Sequence, residues 1–499
     1  MKTFRKDWKL GAAVGTALSL GSAGAIAGPH GFDLHNVLHG ASAAMAGTSI
    51  AHTEDPVSAV FGNPATLTQY YGGTNFMFGA TFYMPRATMV HDGSAPYAVG
   101  QVTTLVNMDN TDGRAATSAA YMFNATSKAD VYAVPTVAVT QDLSGLGIPV
   151  VLGVGVSATS GIGVDYRHHS NTLGAGAELI NLGVNAGVGM KMSDTMDVGV
   201  SMTITYAMLE AGLTGSGNQV HDIGFRASLG ARKHLSDDLT VAAYVMTEQE
   251  HEYDNLHVSS YDGDNPFGSL SAITAPPSIK CNRTGGNVCR QDVSVEQPMN
   301  IGLGIAHDNF MGNPNMMVMA DFTHKMWSDA KFFNEFYDDQ NVVSVGVQLT
   351  QGNMKFRLGY GYADDPLLSQ VAEGKIISTI GGVNTAGAAY TSPMYGLFMS
   401  YFQAMETPVI YKHRIAAGLG VESFLGVPFL SLDSHIALQL EEDKCFGSGQ
   451  SGYSGSFAGG AAPGTALLGG LGDYGCTHLD HSKATVSSFH LGGALTWSF

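Results

Sequence analysis

Several residue types in the sequence could do chemistry. Its 18 histidines and many serines could supply the base and the nucleophile of a lipid hydrolase. Such catalysis needs a nucleophile, a base and an orienting group within hydrogen-bonding reach of one another. The sequence contains no Gly-x-Ser-x-Gly elbow or comparable local signature. The sequence therefore predicts no catalytic residue. Lipid hydrolysis is kept only as an alternative to the function that the rest of the sequence favours.

Four cysteines could form disulfides or hold a metal ion. Cys281 and Cys289 lie in one predicted loop, and Cys445 and Cys476 lie in another. Pairing within each loop is the simplest of three possible connectivities, and it requires an oxidising compartment. Two histidines shortly after the last cysteine make a metal site the alternative, although the cysteine spacing is not that of a zinc motif. We predict two disulfides and no metal.

The C-terminal strand indicates which scaffold carries these residues. From Phe489 to the final residue, Phe499, large apolar residues alternate with small or polar ones. Successive side chains of a strand point to opposite faces, so one face is apolar and the other is small and polar. In an outer-membrane β-barrel the apolar face meets lipid and the other lines the lumen. A soluble barrel would have the same alternation with its apolar side inward.

Fourteen segments have the pattern of a strand. Short turns and long loops alternate between them, as expected when one barrel end faces the periplasm and the other the outside. The predicted strands are 73–84, 131–142, 149–164, 177–192, 196–210, 220–234, 239–253, 293–308, 316–326, 341–350, 354–363, 409–422, 428–442 and 485–499. The sequence therefore predicts an all-β fold, a 14-stranded antiparallel transmembrane β-barrel.

Composition supports an exported membrane barrel. Only 13% of residues are charged, and no apolar run is long enough for a membrane-spanning helix. The net charge of −18 disfavours nucleic-acid binding, which needs a basic surface. Residues 1–27 have a basic start, a short apolar stretch and small residues at the end, which is the form of a signal peptide. We predict that 28–72 form a separate unit and that 73–499 form the barrel.

Residues 28–72 do not alternate as a strand does. They are rich in small residues, and their prolines interrupt strand pairing. A compact segment ahead of a barrel is predicted to sit inside it as a plug, or hatch. The start at 31–34, the small-residue run and the motif Asn63-Pro64-Ala65 resemble the FadL-like transporters of long-chain fatty acids and aromatic hydrocarbons.

The resemblance implies passive uptake of hydrophobic small molecules across the outer membrane of a Gram-negative cell, by a monomer surrounded by lipid. Outer loops would capture the ligand, and it would leave sideways through an opening at a kink in the third strand. Gly161 and Gly163 take the place of the kink glycines. Asn63, Pro64 and Ala65 would anchor the plug to the wall, and Phe32 matches an N-terminal phenylalanine that contacts ligand in the family.

The predicted ligand depends on the outer end of the fifth strand. Fatty-acid transporters of the family carry basic residues there, whereas this chain has no Lys or Arg between Lys191 and Arg226. A buried carboxylate needs a charged or hydrogen-bonding partner, so a neutral or aromatic hydrocarbon is favoured over a fatty acid. The predicted ligand contacts are Met208, Leu213 and, where a charge is needed, Lys331.

Two other functions stay open from the sequence. One is the lipid hydrolase, and the other is a water-filled porin, against which the predicted plug counts. No cofactor is predicted, because no glycine-rich phosphate loop followed by Lys and Ser or Thr is present.

Overall fold

The structure of the chain is a computed structural model. It describes residues 37–92, 122–128, 131–169, 172, 175–211, 219–260, 288–335, 337–369, 412–446, 475–476 and 482–499. The predicted signal peptide, Phe32, Leu213 and Cys281 lie outside these residues.

Strands dominate the described part of the chain. They are β1 (Thr74–Asp92), β2 (Met122–Thr126), β3 (Tyr132–Asp142), β4 (Val151–Asp165), β5 (Gly176–Ser193), β6 (Met196–Ala211), β7 (Val220–His234), β8 (Leu239–Met246), β9 (Gln249–Ser260), β10 (Val288–Gln297), β11 (Asn300–His307), β12 (Met316–Lys325), β13 (Gln340–Gln351), β14 (Met354–Ala363), β15 (His413–Val421), β16 (Leu430–Phe446) and β17 (Ser482–Ser498).

Short helices account for the other regular elements. They are α1 (Gly40–Ala44), α2 (Pro56–Phe61), the 3-10 helix η1 (Pro64–Tyr70), and single 3-10 turns at Ser144–Leu146, Phe310–Gly312, Trp327–Asp329, Phe333–Glu335 and Phe424–Gly426. None of the helices in the described ranges is long and apolar enough to cross a membrane.

The strands close into one antiparallel barrel. The wall strands are β1, β3 to β8 and β11 to β17. Each pairs with the next wall strand in chain order, so that β1 pairs with β3 and β8 pairs with β11, and β17 pairs back with β1. The wall therefore has fourteen strands, and the predicted fold is confirmed. β2 pairs with the same edge of β1 as β3 does, but farther along the strand, at Thr88–Asp92 of β1.

Two of the predicted strands are interrupted. The segment 239–253 divides into β8 and β9, and 293–308 divides into β10 and β11. β9 and β10 pair with each other in a separate hairpin. Pro298, at the second break, has no N–H for the ladder. Arg226 of β7 donates to the carbonyls of Thr247 and Pro298 at 3.0 and 2.8 Å, which satisfies the backbone at both breaks.

The side chains alternate as predicted, with apolar residues on the outer face of the barrel and small or polar residues on the inner face. On β6, Val200 is 55% exposed on the outer face, while the neighbouring Ser201 is 4% exposed on the inner face. Phe225 and Leu229 of β7 are exposed in the same way, and Arg226 between them is buried. An exposed apolar belt of this extent is unfavourable in water and suits a lipid surrounding.

Candidate functional site

The lumen is occupied by residues 37–71, which we call the inner segment. None of its residues is exposed. Local capping explains its helices: the Asp55 carboxylate accepts from the Ser58 N–H at 2.8 Å, with Pro56 at the first helical position of α2. Asn63 caps η1 in the same way, accepting from the Ala65 N–H at 3.1 Å.

Glycines in the wall let the inner segment approach the strands closely. A β-carbon on Gly199 of β6 would lie 2.3 Å from the Pro64 carbonyl carbon. A β-carbon on Gly153 of β4 would lie 2.5 Å from Leu67. On the opposite side of the barrel, a β-carbon on Gly359 of β14 would lie 2.3 Å from the backbone carbonyl carbon of Met45. The inner segment therefore touches the wall on several sides, as a plug would.

Asn63 joins two parts of the inner segment where it meets the wall. Its Nδ2 donates to the Ile50 carbonyl at 2.8 Å, and the residue is fully buried. This contact satisfies a backbone acceptor that is out of reach of bulk water. The predicted plug motif thus lies against β6 and β7, with Pro64 at Gly199 and Asn63 at Gly230.

Buried polar groups on the wall add further contacts. Arg232 of β7 donates from Nε to the Ala51 carbonyl at 2.8 Å and pairs with Asp197 at 3.1 Å. Asp321 of β12 accepts from the N–H groups of Ser49 and Ile50 at 2.7 and 3.0 Å. These contacts fix the middle of the inner segment to two sides of the barrel.

Glu54 of the inner segment forms ion pairs with the barrel wall. Its carboxylate lies 3.0 Å from Lys355 Nζ and 3.2 Å from Arg357 Nη2, both on β14. Arg357 also pairs with Asp433 of β16 at 2.6 Å. Burial opposes ionisation, but the hydrogen bond from His52 and the charges of Lys355 and Arg357 hold the pKa of Glu54 well below its usual value.

The wall has a break in pairing between β3 and β4, which we call the β3–β4 gap. The two strands pair only where 137–142 face 151–156. Beyond Val137 and Val156 no described residue of β3 pairs with β4, although β3 continues along β1 and β4 along β5. The gap ends where the Lys128 N–H donates to the Asp165 carbonyl at 2.8 Å. It is therefore bounded within the wall on both sides.

An apolar cluster lies behind this gap. It joins the start of the inner segment to β1, β3 and β4, and its members are Val37, Leu38, Tyr83, Tyr132, Val134 and Ala158. The adjacent His39 lies 2.9 Å from Ser157 Oγ and 5.7 Å, ring to ring, from Phe61. A molecule leaving the lumen at the gap would cross apolar surface.

The irregularity in β4 lies at Thr159. The register with β5 shifts between Ala158 and Ser160, so Thr159 is the inserted residue of a bulge. Gly161 and Gly163, the predicted kink residues, pair regularly with Ile180 and Glu178. The irregularity in pairing therefore lies two residues before Gly161, and the assignment of Gly161 and Gly163 as kink residues stays a prediction.

The predicted ligand contacts are dispersed. Met208 alternates with the fully buried, inward-facing Ala207, so its side chain is on the outer face and does not line the lumen. Lys331 is exposed, and its Nζ lies 2.5 Å from Glu250 Oε1. Lys331 donates this hydrogen bond to the Glu250 carboxylate, and the bond raises the pKa of Lys331. Phe32 and Leu213 fall outside the described residues.

One predicted disulfide is confirmed. Cys445 and Cys476 are bonded, with their Cα atoms 5.8 Å apart. Cys289 lies on β10, but its predicted partner Cys281 lies outside the described ranges, so that pair stays a prediction. Within the described part of the chain, no group of three or more His, Cys, Asp or Glu side chains could hold a metal ion.

Sequence reasoning missed the buried charges of the wall. Arg232, Asp321, Arg357 and Arg414 are each at most 8% exposed. A signal was present, since each occupies an inward position of a strand whose outward positions are apolar. A charged residue on the lumen face of a barrel strand therefore merits attention as a contact to the lumen contents.

A closed fourteen-stranded antiparallel barrel around a small helical segment defines the structural class. No protein-family model matches the chain, and no curated protein matches its sequence. The Pseudomonas putida toluene transporter TodX is similar in structure, with a TM-score of 0.55 at 15% identity, covering 92% of this chain and 98% of TodX.

Two other solved structures are similar. A Pseudomonas aeruginosa FadL homologue has a TM-score of 0.59 at 14% identity, covering 94% of this chain and 100% of that protein. The Ralstonia pickettii toluene transporter TbuX has a TM-score of 0.52 at 15% identity, covering 94% and 99%. The chain thus has the FadL-type fold, and the predicted resemblance is confirmed at the level of fold.

Proposed function

We propose that this protein is an outer-membrane transporter that takes up hydrophobic small molecules passively. The observation that carries the proposal is the β3–β4 gap, bounded within the wall and backed by an apolar cluster. Two structures of the same fold are described as toluene transporters, and a third, CymD, as a monoaromatic hydrocarbon channel. The proposal assigns no catalytic residue.

The inner segment acts as the plug in this proposal. It contacts the wall from β4 round to β14, so it obstructs an axial path for water and ions. An apolar ligand gains about 0.8 kcal/mol for each CH₂ that leaves water, so a wet axial pore would be a poor route for it. Exit through the β3–β4 gap keeps the ligand in apolar surroundings from the lumen to the lipid.

The apolar outer belt supports placement in the outer membrane of a Gram-negative cell. Lipid is then the partner of the outer face, and a hydrophobic small molecule is the partner of the lumen. One chain closes the whole wall, so the transport path is complete in a monomer. The proposal includes the predicted units, which are a signal peptide at 1–27, a plug at 28–72 and a barrel at 73–499.

Two ligand classes fit this path, namely neutral hydrocarbons and long-chain fatty acids. The described outer end of β6 has no basic residue, which favours the neutral class at that position. The ligand can be identified directly by extracting the purified protein and analysing the bound molecules by mass spectrometry after exposure to alkanes, aromatics and fatty acids. Uptake of none of these by cells that produce the protein would contradict the proposal.

A further inference from the structure

Three of the short turns of the barrel share a sequence pattern and a conformation. The turns follow β3, β11 and β15, and they read Leu146-Gly147-Ile148-Pro149, Met311-Gly312-Asn313-Pro314 and Leu425-Gly426-Val427-Pro428. The three glycines have φ values of 80°, 78° and 76°, and each N–H donates to the carbonyl three residues before it. A β-carbon on any of these glycines would meet nothing within 4 Å. Glycine is therefore required there by the backbone conformation and not by close packing.

The residue before each glycine presents a large apolar side chain to the surroundings. Leu146, Met311 and Leu425, which we call the turn tips, are 77%, 89% and 81% exposed. These are the highest values of any large apolar side chain among the described residues. Met311 and Leu425 also have φ values of 55°, in the left-handed region that bulky residues rarely adopt. Exposed apolar surface and a strained backbone are both unfavourable in water, and they are typically kept where they contact something else.

The lipid-facing surface of the wall continues to the turn tips. Phe429, which follows the third turn, stacks on Phe499 at 6.0 Å, and Trp497 lies 6.0 Å from Phe76. Aromatic girdles of this kind mark the membrane interface of a barrel. From Leu425 to Phe429 the chain rises over about three extended residues, or about 8 Å at a tilt of about 40°. The headgroup layer on each side of the hydrocarbon core is about 5–8 Å thick, so the tip lies within reach of it.

The turn tips are spread around the whole barrel. They follow the second, eighth and twelfth of the fourteen wall strands, so six, four and four strands separate them. A partner protein bound to one side of the barrel would leave at least one tip uncovered. Lipid surrounds the barrel and contacts all three at once.

The charges of the turns indicate which kind of lipid is compatible. The six short turns, at 143–150, 194–195, 235–238, 308–315, 352–353 and 422–429, contain no Lys or Arg. Their charged residues are all acidic, namely Asp194, Asp237, Asp238, Asp308 and Glu422. Anionic lipid surfaces attract Lys and Arg, so an acidic rim does not suit them. A zwitterionic headgroup offers an ammonium group to these carboxylates.

The first turn tip lies on the strand pair that carries the β3–β4 gap. Six residue pairs, 137–142 with 151–156, separate the turn at Leu146 from the gap. This is about 15 Å along the membrane normal for strands tilted by about 40°. With Leu146 in the headgroup layer, the gap begins inside the hydrocarbon core, which is about 30 Å thick.

We propose that Leu146, Met311 and Leu425 anchor the turn end of the barrel in a leaflet of zwitterionic phospholipid. The inference rests on the membrane placement in the proposed function and goes beyond it, because it assigns a contact to turns that the transport path does not use. The turn end is the end predicted to face the periplasm, so the leaflet is the periplasmic one.

The test measures the depth of a nitroxide label in bilayers of phosphatidylethanolamine and phosphatidylcholine in equal parts. Leu146→Cys, Met311→Cys and Leu425→Cys are labelled one at a time in the purified full chain. Collisions with oxygen, which concentrates in lipid, and with a water-soluble nickel chelate are measured by electron paramagnetic resonance. The protein without an added cysteine gives the background of labelling. At each tip we expect more collisions with oxygen than with the chelate.

Two further labelled positions serve as controls. Gln351→Cys carries the same label at an exposed polar position beside the turn at 352–353, which has no apolar residue. Its ratio of oxygen to chelate collisions should be severalfold lower than at the tips. Leu358→Cys, at a 64% exposed position on the outer face of β14, is the reference for lipid. Heat-modifiable migration in gel electrophoresis verifies that each variant is folded.

Tip labels as accessible to the chelate as the label at 351, with the label at 358 in lipid, would overturn the anchor and leave the transport proposal intact. The tips would then face water or a protein. A label at 351 as deep as the tips would also overturn it, because depth would belong to all turns alike. If the label at 358 is itself in water, the membrane placement fails and the anchor falls with it.

A change of lipid tests the headgroup. Replacing half of the lipid by anionic phosphatidylglycerol should shift the tip labels toward water, since the acidic turns are repelled. Tips that lie deeper in the anionic bilayer would overturn the assignment to zwitterionic lipid.

Discussion

The Asn63 side chain lies directly over Gly230 of β7. A β-carbon at position 230 would be 1.7 Å from Asn63 Oδ1, which is closer than any real contact. Gly230→Ala should therefore push the plug motif away from the wall and destabilise the protein by about 1–3 kcal/mol. The measurement is thermal unfolding in detergent. Gly145→Ala is the control, since a β-carbon there meets nothing within 4 Å. An unchanged midpoint for Gly230→Ala would show that the motif does not depend on this contact.

Deletion of residues 28–72 should turn the protein into a leaky channel. The deletion removes the described contacts between the inner segment and the wall while leaving the pairing of β1 with β17 and β3. Ion conductance across planar bilayers should rise to that of an open pore. A folded deletion variant that stays as closed as the full chain would contradict the assignment of this segment as a plug.

The Glu54 contact should make the stability depend on pH. The folded-state pKa of Glu54 lies below its usual value of 4.5, so its stabilisation is present above that value and is lost as pH falls through the folded pKa. Glu54→Gln should lower stability by about 1.5–3 kcal/mol at neutral pH. The difference from wild type should shrink in strong acid.

Thermal unfolding of both proteins at about pH 7 and about pH 3 measures this difference. Glu422→Gln is the control, because Glu422 also pairs with Lys355 but does not belong to the inner segment. If Glu54→Gln is less stable than the wild type by the same amount at both pH values, the ionic contribution of Glu54 is excluded.

Filling the β3–β4 gap should slow transport. Ala158 is 6% exposed and belongs to the apolar cluster behind the gap, so Ala158→Trp adds bulk in the proposed exit. Uptake of a hydrophobic probe by cells should lose most of its rate, while ion conductance stays at the wild-type level. Val156→Trp, placed where β3 and β4 still pair, should transport normally. Normal uptake by a folded Ala158→Trp variant would exclude this exit.

Lys331→Ala should leave uptake of a neutral ligand within about twofold of wild type, because an exposed ion pair contributes little. Lys331 pairs with Glu250 at the surface and does not contact the inner segment. Lys355→Ala is the contrasting variant, since Lys355 contacts Glu54 of the inner segment. Measured uptake rates of the two variants decide between a surface role and a role in the transport path. A large loss in Lys331→Ala would contradict the neutral ligand and the surface assignment alike.

Much of the barrel was predictable because its strands repeat a local rule. The alternation between Val200 and Ser201 is set by the pleat of a single strand, so the lipid-facing and lumen-facing residues can be read without knowing the neighbours. The bulge at Thr159 was not predictable in this way. It depends on how β4 pairs with β5, and the glycines at 161 and 163 gave a stronger local signal than the threonine.

The sequence by itself determined a closed barrel of fourteen strands, its apolar outer face and a helical segment before it, because these features arise from side-chain periodicity and from local capping. Only the tertiary structure decided which wall residues meet that segment. It brought Asn63 onto Gly230 and placed Glu54 beside two cations of β14. These contacts join residues up to several hundred positions apart, and strand register and barrel closure, which no local pattern encodes, set their distances.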